Sequence, residues 1–219
     1  MISEAFPPNS PNAILVSPIH KVLQENDFNL IRHSIRFENK INASEIEEVR
    51  HLHDEWFPIR YSPSFYDKIL ANEIQILVAY ATLEIGNFSE PSKLEKREII
   101  IGLLTFSIKN VSMSYLKILD KLKSLYLMFS KAEILTFGVL FEFRKMKIGS
   151  LIFEEFERLM RSEFANRRVR CFLLHVIEHN SAAKRFYGQQ GFSVIETKDD
   201  YYYIEGKKYS AEKLIKYTN

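Results

Sequence analysis

The clearest change in hydrophobic patterning falls over residues 133–150, EILTFGVLFEFRKMKIGS. β-Branched and aromatic residues, with one glycine at Gly138, predict a strand over 133–140. From Ile148 onward apolar residues recur at Leu151, Ile152, Phe153, Phe156 and Leu159, close to a helical period, and predict a helix to about 162. Between the two stand Arg144, Lys145, Lys147 and Gly149. A strand feeding a cation-rich turn whose backbone N–H groups open a helix is suited to holding a phosphate.

The same reading orders the rest of the chain. Alternation over 29–37 predicts a first strand. Ser44 and Glu47 have capping-box spacing and predict a helix over 45–56, with Ile46, Val49, Leu52 and Trp56 on one face. Pro58 ends it, and Ser62-Pro63 opens a short second helix to about 70. Residues 74–81 and 98–108 read as a hairpin joined by a polar link over 84–97. An insertion follows over 110–132; its Tyr115, Ile118, Leu119, Leu122 and Leu125 are spaced for a partial helix. After the central strand and helix, 168–177 reads as a strand. Asn180 or Ser181 then caps a helix that stops at Gly191. Residues 192–196 and 201–204 read as closing strands, paired as a hairpin, and 211–217 as a short amphipathic tail. The central β-α-β unit requires two parallel strands with a right-handed crossover. The whole is an α/β fold, a mixed and mostly antiparallel sheet with helices on both faces.

Composition narrows the function. The 219 residues carry a net charge of +2 with no basic run, which argues against a nucleic-acid partner. One cysteine, Cys171, excludes an internal disulfide and a cysteine zinc cluster, and suits a reducing compartment. No apolar stretch of ~20 residues predicts a transmembrane helix, and no secretory leader is visible. Residues 1–28, with Pro7, Pro8, Pro11 and Pro18, read as a flexible extension before one domain over 29–219. His51-x-His53-Asp54 is the sole metal-like spacing, and positions two apart on a helix diverge, so no metal is expected.

Four stretches together carry a family resemblance. They are Trp56-Phe57-Pro58-Ile59 with Tyr61 and Phe65-Tyr66; Leu135 to Val139 with Arg144-Lys145 and Ile148-Gly149-Ser150; Leu174-His175-Val176 with Asn180, Ala182-Ala183 and Phe186-Tyr187; and Gly191-Phe192 with Tyr201-Tyr202-Tyr203. The pattern N-x-x-A-x-x-F-Y-x-x-x-G-F resembles the GNAT superfamily of acetyl-CoA-dependent N-acetyltransferases. WFPI, LHV and YYY resemble its N-terminal protein acetyltransferases, the NatF catalytic subunits first and the NatE catalytic subunits next. The resemblance covers about 30–210, and the long 110–132 connection favours NatF.

The resemblance implies acetyl transfer from acetyl-CoA to the α-amino group of protein N-termini, with those starting with Met as the expected substrates, by direct attack in a ternary complex. It places CoA along Phe137, Gly138 and Val139, at Arg144, Lys145, Met146, Lys147, Ile148, Gly149 and Ser150, and against Asn180 and Tyr187. It puts the substrate slot at Phe57, Pro58, Ile59, Tyr61, Leu135, Tyr201 and Tyr202, with Tyr187 serving the departing thiolate. It makes His175 a general base, while the tyrosine that shares this role in the branch is Glu133 here. Glu133 resembles the base of histone-acetylating relatives, so Glu133, His175 or both are candidates, and burial is expected to raise the Glu133 pKa. Lys147 stands where the family has the first glycine of its phosphate loop, which fits if its φ is negative. Two alternatives stay open: a lysine or histone acetyltransferase, and a catalytically weak CoA-binding partner subunit. The resemblance also implies a cytoplasmic protein, with ribosome or Nat-complex association and membrane association as family possibilities.

Overall fold

The computed structural model describes residues 35–86, 94–110 and 129–218. The strands are β1 (Ile35–Glu38), β2 (Gln75–Gly86), β3 (Leu94–Asn110), β4 (Ser130–Val139), β5 (Val169–Ile177), β6 (Ser193–Ile204) and β7 (Lys207–Tyr217). The α-helices are α1 (Ile46–Trp56), α2 (Pro63–Leu70), α3 (Ile148–Ser162) and α4 (Ser181–Gln189). Among the described residues, seven strands form one sheet in the order β1-β2-β3-β4-β5-β7-β6. Of these strands only β4 and β5 run parallel, joined by the α3 crossover.

Helices cover both faces. α3 buries Ile148, Ile152, Phe153, Phe156, Leu159 and Met160. Its Phe156 ring lies 5.1 Å from Phe106 on β3 and 4.9 Å from Phe172 on β5. Each such ring contributes roughly 2–3 kcal/mol by leaving water. On β4, Thr136 is touched by His53 of α1 and Phe137 by Phe186 of α4. Neighbouring strand residues point to opposite faces, so α1 and α4 lie on opposite sides of the sheet. The β3–β4 register skips Leu135, because Thr105 pairs with Thr136 and Phe106 with Ile134. This bulge re-aims the end of β4, a device common beside functional sites.

Several local expectations are corrected. The Ser44/Glu47 capping box does not form. Asn42 Oδ1 instead accepts from Ser44 N at 2.9 Å and Glu45 N at 3.2 Å, so an asparagine turn starts α1. The β2–β3 hairpin is longer than the polar link suggested, pairing as far as Gly86 with Leu94. β4 begins at Ser130, inside the span assigned to the insertion. The two closing segments, 192–196 and 201–204, are one bulged strand, β6. The 211–217 tail is most of β7, which lies between β5 and β6. Glu205 and Gly206, with φ of 49° and 79°, make the two-residue turn that sends the chain back. The 1–28 extension, the start of the first strand and residues 111–128 of the insertion lie outside the described residues. No helix among the described residues is long and apolar enough to cross a membrane.

Candidate active site

The site begins where the parallel ladder stops. β4 and β5 pair from Ser130 with Val169 to Glu133 with Leu173, and no further. β4 continues to Val139 and β5 to Ile177. Beyond Glu133 the edge of β4 that faces β5 therefore has no ladder there, and an extended amide chain can pair with such an edge.

A cleft of about 150 Å³ opens at this parting. It gathers Phe57, Pro58, Ile59, Tyr61, Leu135 and Tyr202 of the expected slot. Phe137, His175, Asn180 and Tyr187 also line it. Glu133, Tyr201, Gly138, Val139 and residues 144–150 lie outside its lining. Pro58 ends α1 and turns the chain so that Phe57 and Tyr61 face one another at 6.1 Å between ring centroids. Burial pushes the Tyr61 hydroxyl up to about 12 and the Tyr202 hydroxyl well above its ordinary value, so both remain protonated donors. Tyr202 also donates to the His175 carbonyl at 3.4 Å.

His175 stacks on Tyr201, with centroids 4.6 Å apart and planes 12° from parallel. Its Nε2 is buried and has no hydrogen-bond partner. Burial, with Lys198 adding to it, holds its pKa below the ordinary 6.5, so the ring is neutral at pH 7. Glu133 departs from expectation. Burial alone raises its pKa and is the largest single influence. The Lys109 ammonium at 2.9 Å, helped by the charge of Lys131, outweighs burial and holds the carboxyl below its usual range. Its carboxyl is held ionised by this ion pair.

The basic turn also departs from expectation. Lys147, the N-cap of α3, has φ 58° and not a negative value. Lys145 has φ 64°. Both occupy the left-handed region, which costs a side-chain-bearing residue roughly 1–2 kcal/mol. Turns of this kind gather backbone N–H groups into an anion-holding hollow at the positive end of a helix. Arg144 Nε is engaged by the Val139 carbonyl at 3.0 Å, and Ser150 Oγ accepts from Gln190 at 3.3 Å. Gly149 has little room to grow, since a Cβ there would lie 3.3 Å from the Phe186 ring, which would have to shift slightly.

Asn180 caps α4 by accepting from Ala183 N at 3.1 Å, which leaves its amide nitrogen for a ligand. Tyr187 is 8% exposed, and burial keeps its hydroxyl protonated far above neutrality. Thr136 is a cleft residue that the motifs did not mark. Its hydroxyl meets Thr105 at 2.6 Å and His53 Nε2 at 3.2 Å. The available sign was His53 itself, four residues after Val49 on the buried side of α1. No cluster of three or more metal-ligating side chains occurs among the described residues.

The donor set fits acetyl-CoA: an unpaired strand edge for amides, a turn of N–H groups and lysines for phosphates, and a protonated tyrosine in the cleft. Comparison with known proteins agrees. The acetyltransferase (GNAT) family model matches residues 46–192. An N-alpha-acetyltransferase 60 of Xenopus tropicalis is 32% identical over 176 residues, 80% of this chain and 66% of that protein. Its Danio rerio counterpart is 30% identical over the same shares. The chain thus spans just under two thirds of the curated relatives it matches first. Arabidopsis thaliana NAA60, solved in complex with a bisubstrate analogue, superposes with a TM-score of 0.65 at 25% identity, over 84% of this chain and 98% of that one. With its splayed parallel pair, its basic turn and a family match over most of its length, the chain belongs to the GNAT acetyltransferase family.

Proposed function

We propose that the protein transfers acetyl from acetyl-CoA to the α-amino group of protein N-termini, Met-starting ones included, in a ternary complex. The observation that carries this is the neutral His175, which lines the cleft where β4 and β5 part and whose Nε2 is buried without a partner.

An N-terminal amine has a pKa near ~8 and is mostly ammonium at pH 7. His175 takes its proton, directly or through water. The amine nitrogen then bonds to the thioester carbonyl carbon as the carbon–sulfur bond breaks. Tyr187 supplies a proton to the departing sulfur, and the second proton that the nitrogen sheds as the amide forms returns through water to the tyrosine. A β4 backbone N–H in the unpaired stretch stabilises the charge that develops on the carbonyl oxygen. Acetyl-CoA supplies the acyl group and a thiol that leaves readily. The 144–150 turn holds its phosphates, and 137–139 with Asn180 hold its amide arm. The aromatic slot of Phe57, Pro58, Ile59, Tyr61, Leu135 and Tyr202 takes the first side chain, with Tyr201 fixing His175. Glu133, already paired with Lys109, tunes His175 and is not itself the base.

Thiol release measured on paired peptides tests the reading. One has a free N-terminus, the other a blocked N-terminus and an internal lysine. Turnover of the first alone is expected. Turnover of the second alone makes the protein a lysine acetyltransferase, and CoA binding without thiol release on either makes it a non-catalytic partner subunit. A cytoplasmic location belongs to the same proposal and is supported by the single buried thiol of Cys171. Association with ribosomes or a Nat-type complex belongs to it too, and co-sedimentation with ribosomes tests it.

A further inference from the structure

Outside the cleft lining, the sheet around His175 carries charged side chains whose charges do not balance. Lys109 and Lys131 are cross-strand partners on β3 and β4, and Glu133 follows Lys131 on the same face. Their β5 partners are Cys171 and Leu173, and His175 is the next residue on that face. On the far side, Lys213 of β7 stands opposite His175. Lys198 lies 5.5 Å over the Tyr201 ring, which itself stacks on His175. The carboxylates here are Glu133 and Glu196. Glu133 is taken up by Lys109 at 2.9 Å and Glu196 by Lys213 at 3.6 Å. Lys131 and Lys198 have no carboxylate within ion-pair range among the described residues.

This surplus has a consequence for the substrate. The α-amine must come to His175 against these positive charges, and a lysine or arginine close behind it would meet the same repulsion. A carboxylate at that place would meet two unanswered ammonium groups. These side chains are partly exposed, so the effect is moderate and salt-dependent. We propose that Lys131 and Lys198 select peptides with an acidic side chain at the second or third residue and disfavour peptides with a basic one there. The inference rests on the N-terminal acetylation proposed above and names the substrate class of that same site.

The test is kcat/KM, by thiol release, for three free-amine peptides that begin with Met. They differ only in carrying glutamate, glutamine or lysine at the second and third positions. The glutamate peptide is expected to exceed the lysine peptide by about tenfold or more at 50 mM salt, and the ratio is expected to shrink at 500 mM. In the Lys131→Glu/Lys198→Glu double variant the ratio is expected to fall to unity or invert. Each ratio is taken within one protein, so a general loss of activity cancels. The milder Lys131→Met/Lys198→Met variant serves if charge reversal prevents folding, and is expected to reduce the ratio at least threefold. A wild-type ratio near one, or a ratio unmoved in the variants, overturns the inference alone. No turnover of any of the three peptides overturns the acetylation reading and the inference with it.

Discussion

His53 Nε2 lies 3.2 Å from Thr136 Oγ1, which shares a 2.6 Å hydrogen bond with Thr105. The imidazole is fully buried, ringed by Phe57, Tyr61, Phe65 and Tyr66 at 5.3–5.8 Å. Its Nδ1 has no partner. A polar relay thus runs from α1 to β4 and on to β3 along one face of the sheet.

That burial lowers the His53 pKa from 6.5 to about 4. The unfolded chain therefore takes up a proton near pH 6.5 that the folded protein refuses until about pH 4. Stability is unaffected above pH 7 and is lost as pH falls between those values, by on the order of 3 kcal/mol. Thermal melts from pH 7.5 to 4.5 should show this decline. His53→Leu should flatten it relative to wild type, and an unchanged pH slope in that variant would show that His53 is not the group responsible.

His175 and Glu133 should separate kinetically. His175→Gln is expected to lower kcat by roughly 10²-fold or more, the usual worth of a general base. Glu133→Gln is expected to cost under tenfold. Wild-type activity falls as pH drops through the His175 pKa, which lies below 6.5. Glu133 favours the charged imidazole, so its removal lowers that pKa further and should move the acid limb of kcat to lower pH. A hundredfold loss in Glu133→Gln with no shift of the limb would make Glu133 the base.

Lys147 combines a strained backbone with a charge. Lys147→Gly relieves the left-handed penalty but adds chain entropy, so stability should change by less than about 1 kcal/mol. Lys147→Ala keeps the strain and removes the ammonium. If that ammonium contacts a phosphate, both variants raise KM for acetyl-CoA several-fold while leaving kcat nearly unchanged. Unaltered KM in both would reduce Lys147 to a backbone role.

Gly138 is fixed by a neighbour. A Cβ at this position would overlap the Trp56 ring that lies over β4. Gly138→Ala should therefore push α1 away and destabilise by roughly 1–3 kcal/mol, read by denaturant unfolding. It should also raise the peptide KM, since α1 leads into Phe57 and Pro58. Pairing the change with Trp56→Leu should recover part of the stability.

The central strand, the basic turn, α3, β5 and the Asn180 cap were legible in the sequence because each has its own local signal. β7 was not. Lys208, Glu212, Lys213 and Lys216 break its apolar pattern, although it lies inside the sheet, because several of them form ion pairs at its edges. The turn at Glu205-Gly206 was the available sign. The φ of Lys147 and the state of Glu133 could not be read locally either. The first belongs to a turn whose next glycine, Gly149, is packed closely against Phe186 and Phe137, contacts made far along the chain. The second depends on Lys109, on a strand 24 residues away. The Leu135 bulge leaves no mark in sequence and yet decides which way Thr136 and Gly138 point.

The place of β7 bears on synthesis. Chains emerge from the ribosome N-terminus first. The phosphate turn, the aromatic slot and β5 are therefore all outside before residues 207–217 appear. Until then β5 has a bare edge where β7 will pair from Cys171 to Ile177, and His175 lacks its cross-strand neighbour Lys213. A nascent chain short of this hairpin carries nearly every recognition element and no fixed imidazole. Competence would arrive in one step, when β7 pairs with β5 and brings β6 into the sheet with it.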